Sequence, residues 1–163
     1  MSSVLPLGVR FDFQPVPPVP EDTTSFTAGP LSIGVEYRVL DDETVAANYS
    51  EAETEGAPSV DDRGVSIHVC DAETGHEYVR FDCFDVDPHY HYLHPELGNT
   101  VVVFDRSAHG DMLEWTFAAM RTRLPSMLEH AGAGDLAARL DMTTLDAAAT
   151  ETERLARGAL AEL

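Results

Sequence analysis

Apolar and polar residues alternate along much of the first two thirds of the chain. Leu7, Val9, Phe11 and Phe13 are interleaved with Gly8, Arg10 and Asp12, the period-two pattern of a strand with one apolar face. Leu31, Ile33, Val35, Tyr37 and Val39 alternate with Ser32, Gly34, Glu36 and Arg38 in the cleanest run of this kind. Val65, Ile67 and Val69, a turn sequence ending in Gly75, and then Val79, Phe81 and Cys83 predict a hairpin. His89-Tyr-His-Tyr-Leu93 and the segment from Asn99 to Asp105 predict a second one.

After Asp105 the period lengthens. Leu113, Phe117, Met120, Leu124 and Leu128 recur every three or four residues and predict an amphipathic helix over 111–131. Asp111 and Glu114 supply an N-terminal cap, Pro125 splits or kinks the helix, and Gly132 and Gly134 stop it. A helical turn follows over Asp135–Leu140, and a second long helix over 144–162 carries Leu145, Ala148, Leu155 and Ala159 on one side. Two stretches break the pattern. Residues 15–30 open with four prolines in six positions and read as an extended connection. Residues 41–63 are acidic and read as a loop holding one short helix near Thr44–Glu53. The expectation is one α+β domain over 1–163. It has a mostly antiparallel sheet of five to six strands (residues 7–105), and a helical part (111–163) packs on one face.

Charge narrows the possible partners. Ten basic residues stand against 29 acidic ones, a net charge of −19, and all ten are arginine. A carboxylate excess of this size disfavours nucleic acid and anionic membranes. It favours a cation or another protein with a basic surface, and leaves the oligomeric state open. Genome composition or a salty cytoplasm accounts for the same excess without a partner. Cys70 and Cys83 have no CxxC spacing, and their places at opposite ends of a hairpin strand pair argue against a disulfide. The opening MSSVLPLGVRF has neither a basic start nor an apolar run, so a cytoplasmic protein with reduced thiols is expected.

The segment from Asp87 to Glu96, DPHYHYLHPE, carries the candidate chemistry: three of the chain's seven histidines. Parity places His89 and His91 on one face of a strand and Tyr90 and Tyr92 on the other. The tyrosines have more apolar surface to bury, so they are expected toward the helices. The histidines then face outward with an open-face polar cluster of His68, Arg80, Asp82, Glu36 and Arg38, and with Arg10 and Asp12 beside it. Side chains two apart on a strand are roughly 6.6 Å apart, close enough to converge on one ion. His94, Glu96 and His109 follow at the turn and after the next strand. His89, His91, His94, Glu96 and His109 are therefore the candidate ligands of a divalent transition metal, Zn, Fe, Mn or Ni.

The spacing His89-x-His91-x4-Glu96 resembles the first metal motif of the cupins over eight residues. The glycine that motif carries six positions before the first histidine is here Cys83, the one seven positions past Glu96 is Val103, and no second motif follows. The likeness therefore implies neither a cupin fold nor a cupin activity. There is no GxSxG, P-loop or GxGxxG. Two functions are expected, the first ahead of the second, and a small-molecule binding protein with the sheet face as its pocket floor stands behind both. One is a non-catalytic accessory protein that binds a partner through its acidic loop and polar sheet face. The other is a metal-binding protein or metal-dependent enzyme built on the histidine cluster.

Overall fold

The computed structural model describes residues 4–163. The first three residues of the opening stretch, read above for a targeting signal, lie outside the described residues. Seven strands form one sheet: β1 (Val9–Phe11), β2 (Thr23–Ala28), β3 (Leu31–Asp41), β4 (Asp61–Asp71), β5 (Glu77–Phe84), β6 (His89–His94) and β7 (Gly98–Val103). Their order is β1-β7-β6-β5-β4-β3-β2, and every neighbouring pair is antiparallel. The seventh strand, beyond the five or six expected, is β2. It lies at the end of the proline-rich stretch, where TTSFTA resumes donating N–H groups and pairs with β3. The acidic stretch 41–63 is more ordered than a loop. It forms α1 (Asp42–Asn48), capped by the Asp41 side chain, then α2 (Glu51–Thr54), closed by a Ser50–Glu53 capping box, and then the start of β4.

Five more helices follow: α3 (Arg106–His109), α4 (Met112–Thr122), α5 (Leu124–His130), α6 (Gly134–Ala137) and α7 (Met142–Ala161). Asp111 caps α4 as its sequence predicts, and Pro125 starts a new helix rather than kinking the old one. The helical layer covers one face of the sheet. Ile33, Ile67, Val79 and Phe81 meet Phe117, Met120, Leu124 and Leu128 in a continuous core. Tyr90 stacks on Trp115 at 5.5 Å and Tyr92 meets the ring of His130 at 4.4 Å, so both tyrosines point at the helices. Cys70 and Cys83 are free, and among the described residues no helix is long and apolar enough to cross a membrane.

The opposite face is polar, as parity requires, but it is not open. The chain from Phe11 to Val19 crosses it as a strap. Prolines 15, 17 and 18 have no N–H to give a ladder, so the strap offers mainly carbonyls. The sheet answers with guanidinium groups. Arg38 and Arg80 both donate to the Val16 carbonyl, at 3.0 and 2.7 Å, and Arg38 also donates to the Pro17 carbonyl at 2.8 Å. Glu36 accepts the Val19 N–H at 2.9 Å and the Thr23 hydroxyl at 2.8 Å. Beneath the strap Glu36, Arg38, His68, Arg80, Asp82 and His91 are all buried. Among the described residues no buried side-chain nitrogen or oxygen lacks a hydrogen-bond partner. The expectation of a solvated face is thus corrected: the residues share the face, but a second layer of chain covers it.

β1 is corrected in the same way. Phe11 pairs with Asn99 and Val9 with Val101, so the apolar side of β1 looks into the polar face, and Arg10 sits on the helix side near Tyr92. A β-bulge adds one further member. Val69 pairs with Val79 but Cys70 with Glu77, so Tyr78 is the extra residue and Glu77 swings onto the polar face. There Glu77 binds Arg80 and accepts from His68 Nδ1 at 2.9 Å, while His68 Nε2 lies 3.3 Å from Glu36. With a carboxylate at each ring nitrogen, the site favours the imidazolium form of His68. Burial alone would lower its pKa, but the bonds to Glu36 and Glu77 outweigh burial and raise it. Burial would raise Glu77, but His68 and Arg80 reverse that and hold it down to about 2.

The signs give the pH dependence. Glu77 contributes stability above its ordinary value of 4.5 that is lost as pH falls toward about 2. His68 contributes fully below its ordinary value of 6.5 and loses that contribution as pH rises through its higher folded value. Urea unfolding of the wild type and His68→Gln should therefore show a stability gap that is fully present below pH 6.5 and narrows as the pH rises above it. A gap that does not change with pH would mean that His68 is neutral. A second expectation concerns Gly64, where an added Cβ would collide with the Cys83 carbonyl oxygen. Gly64→Ala should cost about 1–3 kcal/mol in the same assay, as overpacked sites do.

Candidate metal centre

β5 and β6 run side by side with Asp82 opposite His89 and Arg80 opposite His91. Alternation puts Asp82, His89 and His91 on the polar face, at the end of it nearest Phe11 and Phe13. His89 Nε2 lies 3.2 Å and His91 Nε2 3.0 Å from the same oxygen, Asp82 Oδ2. One ligand atom from each of the three residues falls within 4.8 Å of the others. Atoms bound about 2.0–2.2 Å from one ion stand roughly 3 Å apart in octahedral geometry and about 3.4 Å apart in tetrahedral geometry. The observed carboxylate–imidazole separations fit that range.

The far side of each ring fixes its tautomer. His91 Nδ1 donates to Asn99 Oδ1 at 2.8 Å, and Asn99 is oriented by its own donation to the Phe13 carbonyl at 3.2 Å. His89 Nδ1 donates to the Asp87 carbonyl at 2.7 Å. Both Nδ1 atoms therefore carry the hydrogen, and in a neutral ring both Nε2 lone pairs aim at a carboxylate oxygen. Such an arrangement repels itself unless a proton or a cation lies between. Metal-bound histidines are held in the same way, with the outer N–H on a carbonyl or carboxylate. The other Asp82 oxygen accepts from the buried Ser66 hydroxyl. Burial alone would raise the Asp82 carboxyl, but the two imidazoles outweigh it and hold it well below the usual range. Burial would lower His89, and the bond to Asp82 raises it instead.

Of the five predicted ligands, the fold brings together His89 and His91. His94 has the parity of the tyrosines and lies on the helix side, where its ring fills the space beside Gly132, and its Nδ1 accepts the N–H groups of Glu96 and Leu97. Glu96 is exposed in the β6–β7 turn. His109 belongs to α3 and packs near Phe104 and Trp115. These three do not reach the site. The third donor is Asp82, a member of the predicted polar cluster, which supplies a carboxylate from the neighbouring strand rather than from the same segment. Glu36, Arg38, His68 and Arg80 occupy the same face as a separate network beside it. Asn99 was missed, although a polar residue at an odd position of β7, in phase with Val101, carried the signal. Glu77 could not be found by parity, because the bulge reverses it.

A pocket of about 170 Å³ opens over the cluster. Phe11, Phe13, Val16, Tyr49, Phe84 and Val101 line it, with Asp82, His89 and His91 on its floor. The expected contact face for a partner is thus a covered site with a small apolar mouth. No curated protein and no solved structure matches the chain. A family model described as a domain of unknown function, DUF7700, matches residues 25–156, a span that holds Asp82, His89, His91 and Asn99 and leaves Phe11 to Val19 outside. With well over half of its length matched, the chain belongs to this family.

Proposed function

We propose that this protein binds one divalent transition metal ion through Asp82, His89 and His91, and that the ion keeps open positions facing the pocket. The carrying observation is the convergence of two tautomer-fixed Nε2 atoms on one carboxylate oxygen. Two imidazoles and one carboxylate suit Fe, Mn, Zn or Ni. Three protein donors leave room for water or a ligand, which is the plan of working rather than purely structural metal sites. In that role the ion would act as a Lewis acid or lower the pKa of bound water. The acidic surface supports a basic protein partner only through Coulomb attraction, which is unspecific, so the metal reading stands ahead of it.

Protein purified without a histidine tag, stripped with chelator and reloaded with Fe(II), Mn(II), Zn(II) or Ni(II) should retain close to one equivalent of at least one ion by elemental analysis. Asp82→Ala and His91→Ala should each fall below about a tenth of an equivalent while keeping the wild-type circular dichroism. Wild-type protein that itself stays below about a tenth of an equivalent with all four ions would overturn the reading, and the cluster would then be an imidazolium–carboxylate group. Asn99→Leu removes the acceptor that fixes His91 and should weaken metal affinity by about 10–100-fold in a competition titration with a chromogenic chelator.

A further inference from the structure

We infer that the pocket above Asp82, His89 and His91 takes a single-ring aromatic molecule bearing one anionic oxygen group, a benzoate or phenolate type of ligand, with the ring among Phe11, Phe13 and Tyr49 and the oxygen on the metal. The inference rests on the metal reading and adds the class of ligand. Size comes first. A cavity of about 170 Å³ is close to the roughly 150 Å³ apolar cavity that accommodates benzene. Its rim is partly exposed at Phe11, Phe13 and Tyr49, so a ligand can enter without unfolding the strap.

Shape and polarity come next. Phe11 and Phe13 lie 5.2 Å apart and Phe13 and Tyr49 4.9 Å apart, each pair tilted, which leaves ring edges and faces for a further aromatic group. The polar groups in the walls are already engaged. Tyr49 donates its hydroxyl to the Gln14 carbonyl, Arg38 and Arg80 are bound to the strap, and Asn99 is shared between His91 and Phe13. The walls therefore offer apolar contact, and the remaining polar capacity of the pocket is at the metal.

Charge sets the sign of the ligand. With His89 and His91 neutral, as metal ligands must be, and His68 protonated between its two carboxylates, Glu36, Asp62, Glu77 and Asp82 on the polar face stand against Arg38, Arg80 and His68, a deficit of one positive charge. A divalent ion turns that deficit into an excess of one. A monoanion brings the face to neutrality, and burial penalises any other total. The ligand is thus apolar in body, singly anionic at one end and no larger than one ring.

Isothermal titration of the metal-loaded protein with benzoate tests this, alongside acetate and benzyl alcohol as probes lacking the ring or the charge. Benzoate should bind at least about tenfold more tightly than either probe, and a cobalt(II)-loaded sample should change its visible absorption when benzoate enters. Phe13→Ala should lose that preference. Val101→Phe, which fills the pocket, should abolish benzoate binding, with metal content measured in both variants to show that the site is intact. Metal-loaded protein that ignores benzoate, or that binds acetate as tightly, overturns the ligand class and leaves the metal reading standing. Failure to take up metal at all overturns both.

Discussion

The carbonyl of Val16, held between the guanidinium groups of Arg38 and Arg80, is the contact on which this architecture depends. A sheet with one apolar face needs only one helical layer. The second face here is charged, and chain covering it must satisfy every donor and acceptor it displaces from water. A proline-rich strap has carbonyls in excess and few N–H groups, whereas arginine has five donors and no acceptor. The two deficits match. Lysine, a single compact ammonium group, could not bridge two carbonyls and a carboxylate at fixed angles. The absence of lysine from the chain fits this use of arginine, although composition alone does not require it.

Burying so many charges is not a route to stability. Apolar replacements of buried ion pairs are often neutral or stabilising, and breaking one partner is costly because it strands the other. What the network supplies is position. Glu36, Glu77 and His68 hold the two arginines, the arginines hold Val16 and Pro17, and the strap then sets Phe13, whose carbonyl orients Asn99. Asn99 in turn fixes the tautomer of His91. The route from the charged network to the candidate metal donors thus runs through hydrogen bonds joined by the strap's own backbone between Val16 and Phe13, and the same strap carries the apolar walls of the pocket.

Alternation made the sheet, the two helices and the shared face of His68, Arg80, Asp82, His89 and His91 legible, because a strand's side chains have no choice of side once one is placed. It could not say what covers a face. Val9 and Phe11 show the limit: their apolar parity was clear, but which side it faced was set by pairing with β7. Glu77 shows another, since one extra residue at Tyr78 inverts its parity. The candidate ligand set was partly legible. Proximity in sequence suggested His94 and Glu96, whereas the third donor, Asp82, comes from across the strand pair, seven positions upstream of His89. Local spacing sees neighbours along a strand, and a metal site on a sheet recruits neighbours across it.

The net charge of −19 bears on the order in which such a site would fill. Two of the ten arginines, Arg38 and Arg80, are buried, so the outer surface is short of positive charge. Its field raises the local concentration of cations and lowers that of anions, but salt confines it to within about 8 Å of the surface. A cation therefore gains from the surface charge, whereas an anion is opposed until it reaches the pocket, where the proposed ion and the apolar walls would act at contact distance. Metal first and anionic ligand second follows from that difference of range. On that proposal ligand selection would be made by the pocket, because the surface gives an approaching anion no help.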